Sequence, residues 1–162
     1  PKRSLVFIHT GSGGSANNLS IAQYAKLAAN LKSQRAHTLV LTAGPGELER
    51  AKALSAQLEH TPHFIFESKE GLRSFAEHIQ YADLFISGST GPLHIAGALD
   101  VPTAAFYPKR RSATALRWQT LNSPEKRICF SPEKMDGREH ILNIDVDEAA
   151  CLISERFLLN PA

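Results

Sequence analysis

Short continuous apolar runs alternate along this chain with stretches in which apolar residues recur every three or four positions. The first run, Ser4 to Ile8 (SLVFI), ends in HTGSGG, as a buried parallel strand does when it enters a glycine-rich loop. In NNLSIAQYAKLAANLKS the period changes: Ile21, Tyr24 or Ala25, Ala28 and Leu31 fall on one helical stripe, with Asn17 or Asn18 able to cap its start. The alternation then repeats. HTLVLT (His37 to Thr42) reads as a strand, AGPG as a turn, and Glu47 to Glu59 as a helix with Leu48, Ala51, Leu54 and Leu58 aligned. A strand at His63 to Phe66, a helix from Gly71 to Tyr81 and a strand at Asp83 to Ser87 follow.

The fourth strand leads into SGSTGPLHIAGAL, where small residues precede a helix starting near Pro92. Val101 to Tyr107 is predicted as a fifth strand, with Pro102 tolerable only at its beginning. Pro108 to Lys126 has little periodicity and reads as a long loop, of a length more often functional than idle in a compact domain. RICF (Arg127 to Phe130) fits a last strand. Asp145 with Glu148 three residues on has the spacing of a capping box, ahead of Val146, Ala149, Ile153 and Phe157 on one face of a closing helix. Strands alternating with helices require crossover connections, so the expected fold class is α/β: a Rossmann-like, doubly wound parallel sheet. In that order the first and fourth strands are neighbours at the topological switch point, and HTGSGG faces SGSTGP.

Bulk properties narrow the partners. The 162 residues, 43% hydrophobic, suit one domain with a sizeable core. A formal charge of +2, from 18 basic and 16 acidic residues, is too mild for a bulk nucleic-acid partner. Cys129 and Cys151 lack metal-ligand or C-x-x-C spacing and read as reduced core thiols, as suits a cytoplasmic protein. No apolar run is long enough to span a membrane. The chain opens with Pro1 directly ahead of a strand, which is expected of a piece of a longer polypeptide.

Glycine lets backbone N–H groups approach a ligand, and a helix amino terminus offers unpaired donors with partial positive charge. Two such loops facing each other suit a phosphate or pyrophosphate better than two ordinary tight turns. Ser89 or Thr90 is the expected cap, and Pro92 the expected first helical residue. Neither loop carries G-x-x-x-x-G-K-[ST] or a clean G-x-G-x-x-G, which disfavours a P-loop enzyme or a standard dinucleotide enzyme. Glu47, just past the second strand, is either the acid that hydrogen-bonds ribose hydroxyls in such domains or a solvated first-turn carboxylate. His94, in the first turn after Gly91 and Pro92, and His9, at the edge of the first loop, are each structural or ligand-facing. Lys109, Arg110, Arg111, Arg117 and Trp118 lie in the long loop on the same edge and could gather anionic groups. His60 and His63, split by Pro62, have no third ligand nearby, so no metal is expected, and no nucleophile–base arrangement is evident.

STGPLHIAGAL, together with HTGSGG after the first strand and FYPKRR…RW after the fifth, resembles the C-terminal half of glycosyltransferase family 9, the heptosyltransferases of lipopolysaccharide core assembly and their relatives. The resemblance covers nearly the whole chain. It implies one half of a GT-B enzyme, with residues 1–162 as the C-terminal nucleotide-sugar-binding domain, the donor usually being ADP-heptose. An N-terminal domain absent from this chain would receive the lipid-linked saccharide acceptor and supply the catalytic base of an inverting transfer, so no catalytic residue and no cofactor is expected here. The isolated domain would bind donor without turnover, in the cytoplasm or peripherally at the inner membrane face. By the resemblance Thr10, Gly11, Ser12, Gly13 and Gly14 close over the donor phosphates, and Ser89, Thr90, Gly91 and Pro92 bind the diphosphate. His94 would lie close to it, and Glu47 would hold the ribose. Ser89 stands where many members carry Asp, and SANNLS replaces a segment bearing a cation. That substitution points to Lys109, Arg110 and Arg117 for phosphate contacts. The rival reading is a non-catalytic nucleotide- or phosphate-binding module.

Overall fold

The computed structural model describes residues 2–11, 18–108, 119–132 and 143–159. Its strands are β1 (Ser4–His9), β2 (His37–Ala43), β3 (His63–Glu67), β4 (Leu84–Gly88), β5 (Thr103–Phe106) and β6 (Arg127–Phe130). They form one six-stranded sheet in the order β3-β2-β1-β4-β5-β6, every neighbouring pair parallel. The helices are α1 (Ile21–Asn30), α2 (Leu48–Ala56), α3 (Gly71–Ile79), α4 (Gly91–Ala98) and α5 (Val146–Ile153). This is the doubly wound arrangement that the alternation predicts, with the order reversing between β1 and β4.

Strand side chains alternate between the two faces, and each face has its own helix layer. Val6, Ile8, Leu39, Leu41, Leu84 and Ile86 pack under α1, α2 and α5, with Tyr24, Leu27, Leu54 and Ile153 pointing down from the helices. Phe7, Val40, Phe85 and Ala105 point the other way, against Phe75 and Ile79 of α3 and Leu93 and Ala96 of α4. The central strands are therefore apolar on both sides, which explains why they read as unbroken runs.

Local chemistry moves several boundaries from their expected places. Ser20, not Asn18, caps α1, in a reciprocal capping box with Gln23. Asn18 is committed elsewhere: its amide donates to Thr10 O at 2.8 Å and its oxygen accepts from Leu19 N and from the Tyr24 hydroxyl. Asn17 lies outside the described residues. The second helix ends at Ala56 and the third at Ile79, short of Glu59 and Tyr81. The fifth strand shrinks to four residues, and Pro124–Lys126 form a single 3₁₀ turn inside the expected long loop. At α5, Asp145 accepts from the N–H groups of Asp147 and Glu148, and the helix runs on into a wider π turn at Ser154–Leu158.

Both cysteines are free, but neither belongs to the core: Cys129 and Cys151 are exposed. Cys129 sits on the edge strand β6, and Cys151 on the outer side of α5, so an apolar sequence neighbourhood does not translate into burial in either case.

Candidate functional site at the carboxyl edge of the sheet

The register of β1 against β4 pairs His9 with Ser87, so the two strands end side by side. Thr10 and Gly11 leave the sheet next to Gly88, Ser89 and Thr90. Asn18 joins the two exits. It holds Thr10 O, and a Cβ on Gly88 would stand 2.9 Å from its Oδ1, a space only glycine leaves open.

On the β4 side, Thr90 is the N-cap of α4, its Oγ1 accepting from Leu93 N at 3.4 Å and meeting Ser87 Oγ at 2.9 Å. Ser87, fully buried, donates to Gly88 O at 2.6 Å. The cap is therefore Thr90 and not Ser89, which is exposed. Pro92 occupies the second helical position, after Gly91, where its missing N–H still costs the helix nothing. His94 lies in the same turn, partly exposed, and its ring makes no hydrogen bond among the described residues.

On the β1–β2 side, Glu47 is the N-cap position of α2 but its carboxylate does not cap. It turns back toward the sheet, accepting from Gly44 N at 3.0 Å and standing 3.3 Å from His9 Nε2. His9 is 1% exposed, its Nδ1 2.9 Å from Thr42 Oγ1, its ring packed against Phe75 and Phe85. A Cβ on Gly11 would collide with the Glu47 carboxylate, so this glycine is required by close approach. Glu47 is thus a held carboxylate and not a solvated first-turn acid, though its side chain keeps 20% exposure.

Beside Glu47 lies a pocket of about 260 Å³ lined by Gly44, Pro45, Ser68, Lys69, Gly71, Leu72, Phe75 and Pro92. It is smaller than the roughly 300–1,000 Å³ of a complete small-molecule site, and suits one apolar ring system of a larger ligand. It links Glu47 to the amino end of α4. Gly71, at φ 87°, makes the turn into α3 that forms its wall.

Sequence reasoning missed Arg50. Its guanidinium donates to Thr10 O at 2.9 Å and Leu19 O at 3.3 Å, bracketing both ends of the first loop. No local signal marks it, because both partners lie more than thirty residues away in sequence. Tyr24 lies in the same layer, and burial pushes its phenol well above the ordinary range, against the pull of Arg50. It stays a neutral donor to Asn18. Thr10 Oγ1 is buried with no hydrogen-bond partner among the described residues. Ser12, Gly13 and Gly14, and Lys109, Arg110, Arg111, Arg117 and Trp118, lie outside the described residues. His60 and His63 do not meet a third ligand, and no cluster of three metal-ligating side chains exists among the described residues.

A family model described as glycosyltransferase family 9 (heptosyltransferase) matches residues 1–138. The chain belongs to glycosyltransferase family 9. A putative glycosyltransferase of Haemophilus influenzae is 44% identical over 152 residues, which is 92% of this chain and 43% of that protein. A lipooligosaccharide heptosyltransferase 2 of Campylobacter jejuni is 27% identical over 114 residues, covering 69% of the chain and 36% of the relative. Among solved structures, the E. coli ADP-heptose lipopolysaccharide heptosyltransferase II superposes with a TM-score of 0.76 at 18% identity, over 96% of this chain and 46% of that one. The E. coli heptosyltransferase WaaC with ADP gives 0.70 at 17%, over 95% and 44%. At such identity these two speak for the fold: one Rossmann-like half of the GT-B arrangement. This family 9 chain spans less than half the length of each relative named here. No helix among its described residues is long and apolar enough to cross a membrane.

Proposed function

We propose that this chain is the C-terminal, donor-binding half of an inverting glycosyltransferase, holding a nucleoside diphosphate sugar at the carboxyl edge of its sheet. The observation that carries the reading is the convergence of three unlike groups on one edge: the held carboxylate of Glu47, the apolar pocket, and the Thr90-capped start of α4. In this reading the base enters the pocket, the ribose meets Glu47, and the diphosphate reaches the Gly91 N–H at the positive end of α4, where Thr90, Gly91 and Pro92 leave room and His94 lies in the same turn. Thr10, Gly11 and the residues after them, Ser12 to Gly14, cover the phosphates from the β1 side.

Sugar transfer breaks the bond between the anomeric carbon and the diphosphate, so charge grows on the departing phosphate as the sugar becomes oxocarbenium-like. Donors fixed in place before the reaction lower that barrier, because no reorganisation is needed when the charge appears. The amino terminus of α4 supplies a fixed donor, the Gly91 N–H, and the positive end of its dipole. Further positive charge is assigned to Lys109, Arg110 and Arg117. The attacking hydroxyl needs a base, and this chain leaves that role to the domain that receives the acceptor.

The likeness to a Campylobacter lipooligosaccharide heptosyltransferase, to the E. coli ADP-heptose lipopolysaccharide heptosyltransferase II and to WaaC with ADP favours ADP-heptose as donor and a lipopolysaccharide core saccharide as acceptor. Enzyme of this kind would work at the cytoplasmic side of the inner membrane, where its lipid-linked acceptor is held. Titration calorimetry of this chain with ADP, UDP and GDP tests the reading. Binding of ADP in preference to the other two is expected, without sugar transfer; absence of heat with all three at millimolar concentration would remove the donor-site reading.

A further inference from the structure

We propose that His9 is a positioning residue that sets the carboxylate of Glu47, and through it makes the site selective for a ribonucleoside over a 2′-deoxyribonucleoside diphosphate. The inference rests on the reading that Glu47 meets the ribose.

Of the two readings open for His9, structural or ligand-facing, its burial decides for the first: it is almost wholly buried among protein groups. Its ring is wedged between Phe75, at a centroid distance of 5.9 Å, and Phe85, at 6.4 Å. Both nitrogens are occupied: Nδ1 lies 2.9 Å from Thr42 Oγ1, and Nε2 lies 3.3 Å from Glu47 Oε1. A carboxylate oxygen only accepts, so the proton is assigned to Nε2, and Nδ1 then accepts from the Thr42 hydroxyl. That hydroxyl's other acceptor, Ile8 O, lies at 3.5 Å, too far to compete well. The result is a directed chain from Thr42 through His9 to Glu47, running from the core toward the site.

Glutamate is a flexible side chain, and one at a helix start normally swings into solvent. Here Oε1 is held from two directions, by Gly44 N and by His9, and the carboxylate itself fills the space that Gly11 leaves by lacking a Cβ. An acceptor held in advance loses less freedom when it meets a hydroxyl, and discrimination against a ligand lacking that hydroxyl grows accordingly. His9 touches no ligand in this arrangement. Its ring also packs on Phe75, a wall of the base pocket, so the ratio between two ligands that share the same base isolates its effect on the ribose hydroxyl.

The test is calorimetry on this chain with ADP and 2′-deoxy-ADP, for the wild type and for Glu47→Ala, His9→Ala, His9→Gln and Thr42→Val, each checked for a cooperative melt. The wild type is expected to prefer ADP about tenfold, the size of one charge-assisted hydrogen bond, and Glu47→Ala to lose the preference. His9→Ala is expected to cut the ratio to about twofold, whatever affinity both ligands lose together through the Phe75 wall. His9→Gln, which keeps an N–H near the position of Nε2, restores most of it, and Thr42→Val gives an intermediate ratio. Should His9→Ala fail to fold, His9→Gln and Thr42→Val carry the test. If the His9 and Thr42 variants keep the wild-type ratio while Glu47→Ala loses it, or if His9→Ala weakens both ligands equally, His9 is structural and the proposal is overturned. If Glu47→Ala itself keeps the ratio, or the wild type shows none, the ribose reading fails and the proposal goes with it.

Discussion

At the scale of single residues, the proposed site is built from side chains that are held in place by others. Glu47 is the clearest case, and Glu47→Gln keeps its shape while removing the charge and one acceptor oxygen. Nucleoside diphosphate affinity should fall about tenfold, or about 1.4 kcal/mol, by calorimetry, with little change in melting temperature. Cys151 offers an independent check on the outer surface. The Glu155 carboxylate, 3.6 Å from the thiol, holds Cys151 above its ordinary pKa, with Glu148 adding to the effect. Although exposed, this cysteine should therefore alkylate slowly with iodoacetamide at neutral pH, and Glu155→Gln should speed the reaction severalfold. Glu47, Thr90 and Pro92 were legible because helix starts and strand ends announce themselves in sequence. Arg50 was not, since nothing local says that a cation in a helix's first turn reaches back to Thr10 O and Leu19 O. The burial of His9 was equally hidden: it depends on Phe75 and Phe85, which are distant in sequence.

At the scale of elements, α4 must be fixed if its amino terminus is to hold a ligand, and Gly97 shows how. Helix propensity alone would make Gly97→Ala stabilising by about 1 kcal/mol. A Cβ there would stand 2.6 Å from Thr120 Cβ and 3.2 Å from Leu121 N, however, and overpacking of that kind costs roughly 1–3 kcal/mol. The clash wins, so the variant should melt lower than wild type. Thr120 cannot easily yield, because its hydroxyl donates to Asn122 Oδ1 at 2.6 Å and Asn122 Nδ2 in turn is tied to Val101 O, Thr103 Oγ1 and Lys126 O. At the start of β2, burial holds the His37 imidazole below its usual pKa of 6.5, with Arg3 adding to the effect. The unfolded chain takes up that proton first, so stability should be complete above about pH 6.5 and decline as the pH falls below it. His37→Gln should flatten that part of a melting-temperature profile. Element types were legible from periodicity, but their ends were not. Capping by Ser20 and the early stop of α2 at Ala56 depend on hydrogen bonds that compete within a residue or two of each other.

At the scale of the molecule, the strand order follows from the alternation of strands and helices, and it alone brings the ends of β1 and β4 together. That much was legible in the sequence, as was the family, from HTGSGG, STGPLHIAGAL and FYPKRR…RW. The pocket between Gly44, Leu72, Phe75 and Pro92 was not, because its walls come from three separate crossovers. The central claim is that a nucleoside diphosphate lies across this edge, from that pocket past Glu47 to the start of α4. Amide chemical shifts of the ¹⁵N-labelled chain titrated with ADP test it most directly. The account predicts the largest shifts at Gly44, Glu47, Leu72, Gly91 and Leu93. Between α1 and α5 lies a second groove, crossed by the Lys26–Asp147 ion pair and the Asn30–Asp147 hydrogen bond, and shifts confined to it would contradict the account.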